Sequence, residues 1–379
     1  MLQSNTNKIE GVLQSMITNK SIKIPPVDDG ISVASLDDGF GDLKFDSTGT
    51  PLLIPSFVIP YKPKPQDEFS NGSKLEYLAV NIDGQKWVVG NYAIKMGTNV
   101  DWIGGENKHL DKRFSILFKT ALARMARGYR ERMYTLMMNL PIKNDTKERR
   151  DALMKLVEGT HELEISYDGK EFLPRCITVE DVVIKKQPFG SICDVMLNGE
   201  GEIIDHNLAK GFNVIADVGA RTLNILTLDA LEEQPGLTTH NNFGMFQAYQ
   251  TVGEYLETEK GILVPDGKLP MIMTEKEIRN IDITPLINQA YENHANRILN
   301  TLDKLLIDSY GFVTSIIFTG GGAELLRPYL EERFKDRGVN MIFLDRFANA
   351  RGLRKYGIRL ARKAKKNINI QVGGNSFRG

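Results

Sequence analysis

Residues 37–44 (DDGFGDLK) have the residue types of a phosphate-binding turn and directly follow the apolar run Ile31–Leu36. Glycines at a turn between two strands let backbone N–H groups approach an anion closely, because no Cβ is in the way. Lys44 adds a positive charge for a β- or γ-phosphate, and Asp37 is placed to hold Mg²⁺ through water. By itself the segment could equally be a hairpin turn, since Asp-Gly is the commonest hairpin signal.

A second segment repeats this arrangement 180 residues later. Residues 217–224 (DVGARTLN) again follow a short apolar run, Phe212–Ala216, and again precede one. Two such turns that face each other across a cleft can hold a triphosphate from both sides, and Asp37 and Asp217 can share one metal ion. The joint occurrence favours a nucleotide-binding site over two unrelated hairpins.

Three consecutive glycines form a third candidate site. They lie in the segment 319–324 (TGGGAE), after the apolar run Val313–Phe318 and before a predicted helix. Each glycine costs backbone entropy on folding, so three together indicate a place where the backbone must lie against a ligand. The N-terminus of the following helix would offer its free N–H groups to an anion. A tight structural turn is the alternative.

Gln187, within 186–190 (KQPFG), is a candidate for the hydrolytic step. A glutamine side chain can orient a water molecule without taking its proton. Phosphoryl transfer depends mainly on positioning and on stabilisation of charge, so such a group is sufficient. A single glutamine has no meaning alone, and its role depends on the three glycine-containing segments.

The elements that position these residues alternate between strands and helices, which is typical of α/β architecture. Because the Asp-x-Gly unit between two strands occurs twice, nearly half a chain apart, we expect two similar domains that share one cleft. The predicted strands are Ile31–Leu36, Leu43–Phe45, Leu52–Ile59, Leu75–Ile82, Lys86–Val89, Met133–Asn139, His161–Tyr167, Ile177–Lys185, Phe212–Ala216, Thr222–Leu228 and Val313–Phe318. The predicted helices are Phe114–Ala126, Lys147–Leu156, Met245–Glu257 and Pro285–Leu306.

The two ends of the chain differ from this pattern. Residues 1–30 form an N-terminal extension in which apolar residues at helical spacing allow a short amphipathic helix, although a flexible or loosely docked leader fits as well. These apolar residues are Ile9, Val12, Leu13 and Met16. The last residues, 367–379, are rich in Gly and Asn, and we expect a flexible tail.

Composition excludes several classes of function. The 379 residues carry 48 basic and 48 acidic side chains, so the net charge is zero and nothing attracts nucleic acid or an anionic membrane. No apolar run approaches the roughly 18 residues that span a bilayer, and the start of the chain lacks a signal-peptide pattern. Cys176 and Cys193 are not spaced as metal ligands. These observations predict a cytoplasmic protein.

Together, the motifs resemble the actin-like ATPases over residues 31–364, and within that group the ParM-type actins of plasmid partition systems. Five motifs occur in the same order: two Asp-x-Gly turns, a glutamine between them, a late GGGAE segment and a terminal Asn349-x-x-Gly352 followed by Tyr356-Gly357. The pointers to the ParM type are Asp37-Asp38-Gly39, Leu140-Pro141, Gln187-Pro188, 320–324 and Arg351-Gly352-Leu353.

The resemblance implies an actin-like fold, with two similar α/β domains that flank a nucleotide cleft. Domain I would comprise residues 31–190 and 346–366, and domain II residues 191–345. The implied activity is ATP hydrolysis, with Mg²⁺ as cofactor, coupled to polymerisation into nucleotide-dependent filaments for plasmid DNA segregation. The implied partners are further copies of the chain and a DNA-bound adaptor protein, without direct binding to nucleic acid or membrane.

The resemblance also implies a role for each site residue. Asp37 and Asp217 would organise Mg²⁺, and Gln187 would position the attacking water. The phosphates would be held from one side by Asp38, Gly39, Phe40, Gly41 and Lys44, and from the other by Gly219, Ala220, Arg221 and Thr222. The ribose and the α-phosphate would meet Gly320, Gly321, Gly322 and Glu324. The segment Thr274–Arg279 would contact the adenine, with Arg279 as the main contact.

Three residues depart from the family pattern. Phe40 stands where a small polar residue is common, so a hydroxyl contact to phosphate is missing. Asp42 lies on the same strand face as Lys44, and an ion pair between them would weaken the hold of the lysine on phosphate. Arg221 replaces a small residue, and would either neutralise phosphate or point to solvent.

Other functions on the same fold stay open. A small-molecule kinase uses a carboxylate as general base near the position of Gln187, where an amide cannot take a proton, although Asp194 lies nearby in sequence. A chaperone of the DnaK type would carry a long substrate-binding extension after the core at 31–364, and we expect none in the few residues that follow it here. A cell-shape or phage actin also fits the motifs.

Overall fold

A computed structural model describes residues 31–64, 76–97, 103, 110–334 and 338–374. The predicted N-terminal helix and its extension lie outside this part of the chain. The described strands are β1 (Ile31–Asp38), β2 (Asp42–Asp46), β3 (Leu52–Pro55), β4 (Val58–Pro60), β5 (Ala79–Ile82), β6 (Gln85–Val89), β7 (Arg130–Leu140), β8 (Gly159–Ser166), β9 (Leu173–Val179), β10 (Val182–Lys186), β11 (Phe212–Val218), β12 (Leu223–Asp229), β13 (Glu232–Glu233), β14 (Thr239–Asn241), β15 (Glu277–Ile278), β16 (Ile281–Asp282), β17 (Val313–Thr319) and β18 (Asn340–Phe343).

The described α-helices complete the two lobes of the molecule. They are α1 (Asn91–Met96), α2 (Lys112–Met125), α3 (Lys147–Val157), α4 (Phe189–Met196), α5 (His206–Lys210), α6 (Met245–Lys260), α7 (Leu269–Glu275), α8 (Thr284–Leu306), α9 (Gly321–Phe334) and α10 (Ala348–Gly374). None of the helices within the described ranges is long and apolar enough to cross a membrane.

Lobe I is built on a ten-stranded mixed sheet with the order β3-β2-β1-β7-β9-β8-β5-β6-β4, and β10 pairs with the second half of β7. As predicted, β1 and β2 form an antiparallel hairpin, in which Asp37 lies opposite Lys44. Strands β1, β7 and β10 run parallel to one another. Their carboxyl ends therefore meet at one edge of the sheet, where polar side chains can converge.

Lobe II is built on a six-stranded sheet with the order β13-β12-β11-β17-β18, and β14 pairs with β12. Strands β11 and β12 form the second hairpin, with Asp217 opposite Asn224. Strand β17 runs parallel to β11 and places Thr319 beside Asp217. Each lobe thus presents an Asp-x-Gly turn at the end of a central strand, because the same local sequence pattern occurs in both.

Helices α4 and α10 pack between the two sheets and join the lobes. Their apolar side chains form one buried cluster with residues of both sheets, including Val33 and Met137 of lobe I and Ile215 and Ile317 of lobe II. The helices approach closely where they cross, since a Cβ on Gly352 would lie only 1.7 Å from the carbonyl oxygen of Gly190. Any larger side chain at Gly352 would therefore push the two helices apart.

Two predicted strands prove to be interrupted, and one predicted tail is helical. The run Leu52–Ile59 forms two strands, β3 and β4, because the chain turns between them and Phe57 N–H donates to the carbonyl of Pro55 at 2.7 Å. The run Ile177–Lys185 is likewise divided between β9 and β10, which both pair with β7. Helix α10 continues to Gly374, into the residues predicted as a tail.

Candidate functional site

A cleft of about 1150 Å³ separates the lobes, and most of the predicted site residues line it. Those in its wall are Asp37, Gly39, Phe40, Gly41, Lys44, Gln187, Asp217, Gly219, Ala220, Thr222, Gly320, Gly321, Gly322 and Glu324. Both Asp-x-Gly turns and the triple-glycine segment thus face a common space, although they are far apart in the sequence. This volume slightly exceeds the roughly 300–1,000 Å³ that is usual for small-molecule and cofactor sites.

Parallel strands bring three polar side chains together on the lobe I side. Asp37 and Asn139 occupy the penultimate positions of β1 and β7, and Gln187 directly follows β10. All three side chains are at most 5% exposed. Their alignment follows from the register of the strands, because β7 pairs with both β1 and β10.

The Asp37 carboxylate accepts hydrogen bonds from three amide groups. Its Oδ1 atom accepts from Asn139 Nδ2 at 2.7 Å, from Gln187 Nε2 at 3.0 Å and from Asn349 Nδ2 at 3.1 Å. Asn349 comes from α10, so the helix that joins the lobes also holds this carboxylate. Hydrogen bonds from three amide groups fix the orientation of this carboxylate.

Lys44 completes the Asp37 cluster and carries the positive charge that the sequence predicts. Its Nζ atom lies 3.5 Å from Asp37 Oδ2, and its side chain is 12% exposed. Burial alone would lower the pKa of Lys44, but Asp37, Asp42 and Asp217 together raise it above its ordinary value. The ammonium group therefore stays charged, and it is available to a phosphate in the cleft.

Asp42 forms its ion pair with Arg346 rather than with Lys44. The distance between Asp42 Oδ2 and an Arg346 guanidinium nitrogen is 3.7 Å. Asp42 acts on Lys44 only as a nearby charge that raises the lysine pKa. Arg346 precedes α10 and lines the cleft, so this contact joins the first turn to the lobe II side.

Asp217 occupies the corresponding position in lobe II. Burial and, after it, the charge of Asp37 raise the pKa of Asp217 to about 7, against the opposing effect of the Lys44 charge. The effect of Asp37 on Asp217 indicates that these two carboxylates lie close enough to repel each other, beside Lys44. Their repulsion would be relieved by a cation.

This pair of carboxylates fits a hydrated Mg²⁺ ion, which the resemblance implies. Within the described residues no group of three or more His, Cys, Asp or Glu side chains is placed to hold a metal ion. Magnesium retains several waters and takes only one or two carboxylates beside substrate phosphates, so a richer ligand set is not needed. Asp37 and Asp217 are the residues that would hold it.

The triple-glycine segment has a backbone that larger residues would not permit. Gly320 has φ of +87°, and a Cβ there would lie 2.5 Å from Asp217 Oδ1 and 2.6 Å from the carbonyl oxygen of Val218. A Cβ on Gly322 would lie 2.5 Å from a methyl group of Val218. The segment is therefore packed against the second Asp-x-Gly strand, and helix α9 begins at Gly321, which lines the cleft.

The remaining wall of the cleft has the composition of a small-molecule site. It is formed by α6, α7, α8 and α9, and combines aromatic and apolar side chains with a few polar groups. The side chains include Met245, Tyr249, Met271, Met273, Thr274, Lys276, Asn288, Tyr291, Pro328 and Tyr329. Pockets for small molecules have this mixture of apolar surface and few polar groups. Thr274 and Lys276 belong to the segment predicted to contact adenine.

Three predicted residues do not line the cleft. Asp38 belongs to β1, and its backbone N–H lies 3.4 Å from Asn139 Oδ1. Arg221 is exposed, and its guanidinium stacks over the ring of Phe246 at 5.6 Å. Arg279 has φ of +49° at the turn between β15 and β16, where it borders a separate surface depression. Local sequence could not place Arg279, because its direction depends on this turn.

Sequence reasoning omitted several polar residues that the cleft brings together. Asn139 and Asn349 bind Asp37, Asn224 contacts Gln187, and Arg346 pairs with Asp42. The available signals were the polar Asn139 at the end of a buried strand and the Asn349-x-x-Gly352 motif, which was noted without a role. Asn224 is the last residue of the second Asp-x-Gly segment, and nothing in the local sequence marks Arg346.

Two further contacts connect the lobes at either end of the cleft. Lys186, which directly precedes Gln187 in the sequence, places its Nζ atom 2.8 Å from both carboxylate oxygens of Glu233. Lys268 Nζ donates to the carbonyl oxygen of Ile94, which belongs to α1 of lobe I, at 2.9 Å. These contacts link the two lobes on either side of the site.

Two family models match successive parts of the chain. Residues 35–190 match the model described as the N-terminal domain of actin-like proteins. Residues 215–332 match the model described as the C-terminal part of an archaeal, MreB-like actin homologue. Archaeal actin homologs of Thermoplasma acidophilum and Thermoplasma volcanium are each 24% identical over 338 residues, which span 85% of this chain and 97% of each relative.

Solved structures share the fold at low sequence identity. An apo ParM protein from psk41 has a TM-score of 0.67 at 20% identity and covers 89% of this chain and 100% of its own. An archaeal actin homolog in complex with ADP has a TM-score of 0.69 at 22% sequence identity. A 15-stranded ParM filament from Clostridium botulinum has a TM-score of 0.71 at 18% identity. Each of these two matches covers 86% of this chain and 99% of the solved chain. The predicted actin-like fold and the predicted resemblance are confirmed. Residues 35–190 and 215–332 thus match models of actin-like proteins, and the chain is similar to ParM and to the archaeal actin homologs in an actin-like fold around one shared cleft.

Proposed function

We propose that this chain binds ATP with Mg²⁺ in the cleft between its lobes, hydrolyses it, and couples hydrolysis to polymerisation into filaments. The observation that carries the proposal is the convergence of Asp37, Asp217 and Gln187 with two Asp-x-Gly turns and a triple-glycine helix start in one cleft. An ADP complex of an archaeal actin homolog with the same fold supports the nucleotide assignment.

The phosphates would lie between the two turns. Lys44 supplies a point charge from lobe I, and the backbone N–H groups of both turns and of the start of α9 supply donors. Magnesium, when bound by Asp37 and Asp217, would neutralise phosphate charge. Because the ligand would contact both lobes, its binding would favour a closed cleft, and loss of a phosphate would remove contacts from both sides.

Gln187 would position the attacking water. Its Nε2 atom donates to Asp37 Oδ1 at 3.0 Å, so the carbonyl oxygen Oε1 is the atom left to accept a hydrogen bond from water. Phosphoryl transfer to water needs orientation more than proton removal, so an amide is adequate. A rigidly held amide also lowers the entropy lost when the water is aligned.

A small-molecule kinase is the less favoured alternative. Asp194, the carboxylate that could serve as its general base, pairs with Arg351 at 2.7 Å and with Lys355 at 2.8 Å and does not line the cleft. A base committed to two cations and directed away from the ligand could not accept a proton from a substrate hydroxyl. The carboxylate is explained instead as a link between α4 and α10.

Self-assembly is supported by the shared fold with ParM, including the filament from Clostridium botulinum. We extend the proposal to plasmid DNA segregation, with a DNA-bound adaptor protein as the link to the cargo. The zero net charge of the chain favours such an adaptor over direct contact with DNA.

Sedimentation with ATP, with ADP and without nucleotide tests the proposal, together with phosphate release. We expect Asp217→Ala to abolish hydrolysis. Gln187→Ala should lower kcat by about 100-fold and leave ATP-dependent polymer intact. Gln85→Ala, at an exposed glutamine outside the cleft, is the matched control. Hydrolysis at the wild-type rate in Gln187→Ala would contradict the water-positioning role, and no nucleotide-dependent sedimentation would contradict the filament.

A further inference from the structure

Four side chains form a continuous series of hydrogen bonds across the base of the cleft. His240 Nδ1 lies 2.9 Å from Asn224 Oδ1, and Asn224 Nδ2 lies 3.5 Å from Gln187 Oε1. Gln187 Nε2 in turn donates to Asp37 Oδ1 at 3.0 Å. The series begins in lobe II, at His240 and Asn224, and ends in lobe I, at the carboxylate expected to hold the metal.

The direction of donation in this series follows from its ends. The Asp37 carboxylate only accepts, so the amide nitrogen of Gln187 must face it and the carbonyl oxygen must face Asn224. Asn224 then directs its nitrogen toward Gln187 and its carbonyl oxygen toward His240. A carbonyl oxygen cannot donate, so Nδ1 of His240 must carry a proton. Each group therefore donates to the next, from His240 to Asp37.

The fold holds the outer half of this series rigidly. His240 and Asn224 are directly opposite each other in the antiparallel pairing of β14 and β12, which places their side chains side by side. Asn224 is 1% exposed and also donates to Thr222 Oγ1 at 3.3 Å. The other ring nitrogen of His240, Nε2, lies 2.9 Å from Oδ1 of the exposed Asn242. When only Nδ1 is protonated, the Asn242 amide must turn over so that its NH₂ group donates to Nε2.

We propose that His240 is a positioning residue for hydrolysis, which acts through Asn224 to fix the amide of Gln187. The proposal rests on the proposed function, in which Gln187 orients the attacking water. The contact of 3.5 Å is long for a hydrogen bond, so its contribution is orientation more than stability. Oε1 of Gln187 has two lone pairs, and can accept from Asn224 and from water together.

Loss of the Nδ1 proton donor would act on the amide orientation. Without a donor at this position, Asn224 can rotate by 180° and present its carbonyl oxygen to the carbonyl oxygen of Gln187. Two facing acceptors repel, so Gln187 would lose its preferred orientation. The phosphate contacts of Lys44 and of the glycine turns do not involve His240. We therefore expect kcat to fall while nucleotide affinity is kept.

Two substitutions of His240 separate this role from simple packing. His240→Leu keeps the volume and removes both nitrogens, and should lower kcat about tenfold. His240→Asn can place an N–H group near the former Nδ1 position and should restore most of the rate. The Kd for ATP and the concentration of protein needed for assembly should stay within about twofold of wild type in both. Asn242→Ala, which changes only the outer contact, is the control and should hydrolyse at the wild-type rate.

The outcomes distinguish this proposal from the function on which it rests. If Gln187→Ala is impaired but His240→Leu hydrolyses like wild type, the His240 role is overturned and the proposed function stands. Equal losses in His240→Asn and His240→Leu, or a parallel loss of ATP affinity, would also overturn it. A wild-type chain that does not hydrolyse ATP would overturn the proposed function itself, and the catalytic role of His240 with it.

A measurement independent of hydrolysis tests the hydrogen-bond series directly. The ¹⁵N chemical shifts of the imidazole nitrogens, with the His240 signals assigned from their absence in His240→Asn, report which nitrogen carries the proton. We expect a protonated Nδ1 in the wild-type protein, and a change in these signals in Asn224→Ala. A neutral ring protonated only at Nε2 would overturn the proposal whatever the hydrolysis rate.

Discussion

The carboxylate of Asp42 and the guanidinium of Arg346 lie 3.7 Å apart and join the first Asp-x-Gly turn to the start of α10. Both side chains line the cleft, and neither is fully buried. The negative charge of Asp42 would oppose an anionic ligand, and the pair engages an arginine that could otherwise approach the ligand. Nucleotide binding and this ion pair are therefore expected to compete.

Asp42→Asn should strengthen nucleotide binding. The substitution removes a negative charge beside Lys44 and releases Arg346, so we expect the Kd for ATP to fall about two- to fivefold, as for a partly exposed charge. The gain should shrink at high salt, because exposed charges are screened. Titration calorimetry at two salt concentrations measures both effects.

Asp83→Asn provides the control for Asp42→Asn. Asp83 is an exposed aspartate at the turn between β5 and β6, outside the cleft, with φ of +52°, a conformation that asparagine also tolerates. Its substitution makes the same change in net charge without touching the site. Weaker binding by Asp42→Asn would show that the ion pair shapes the turn rather than competing with the ligand.

Asp217→Asn should stabilise the empty protein at alkaline pH. Burial, followed by the charge of Asp37, raises the pKa of Asp217 to about 7, above the unfolded value of 3.8. The folded state therefore binds the proton more tightly, and ionisation of this group costs stability as pH rises from about 4 to 7. The loss is complete above pH 7, where the variant should gain on the order of 4 kcal/mol over wild type.

Urea unfolding at pH 5 and pH 8, with a chelator and without nucleotide, measures this difference. The advantage of Asp217→Asn should be smaller at pH 5, because the wild-type carboxyl is then largely protonated. Addition of Mg²⁺ and ATP should stabilise wild type more than the variant. A variant that is less stable than wild type at pH 8 would contradict the raised pKa.

Gly320→Ala should damage the site as well as the fold. Its positive φ and the approach of its Cβ to Asp217 and Val218 cost about 1–3 kcal/mol in the unfolding free energy, and displace the Asp217 carboxylate. We expect the Kd for ATP to rise at least about tenfold, from misplaced metal and phosphate contacts. Equilibrium unfolding and a binding titration test the two parts separately.

Gly311→Ala is the matched control for Gly320→Ala. Gly311 is exposed, and a Cβ there would meet no heavy atom within 4 Å. Its substitution should leave both binding and stability nearly unchanged. If Gly320→Ala bound ATP as well as Gly311→Ala does, the triple-glycine turn would have no part in the nucleotide site.

Asp194→Asn should separate structure from catalysis. Removal of the charge leaves Arg351 and Lys355 without their shared, nearly buried partner, so we expect a loss of about 3 kcal/mol in unfolding free energy. Hydrolysis of ATP per folded molecule should stay near wild type, since the carboxylate does not line the cleft. A loss of activity without a loss of stability would instead support Asp194 as a general base.

The sequence by itself determined the chemistry of the site and the class of the fold. The two Asp-x-Gly turns predicted hairpins, and these form with Asp37 opposite Lys44 and Asp217 opposite Asn224. Such features are local, because apolar runs ending in Asp and Gly specify a strand followed by a turn. The pairing of two equivalent turns also predicted a cleft between two α/β halves, which the structure has.

Only the tertiary structure decided which side chains meet in that cleft. Asn139 and Asn349 bind the Asp37 carboxylate from positions 102 and 312 residues away. Asp42 pairs with Arg346 and not with Lys44. His240 is connected to Gln187 by hydrogen bonds through Asn224. These contacts depend on the register of parallel strands and on the packing of α10 between the sheets. Neither is encoded in a local motif, since each is fixed by pairing between distant segments.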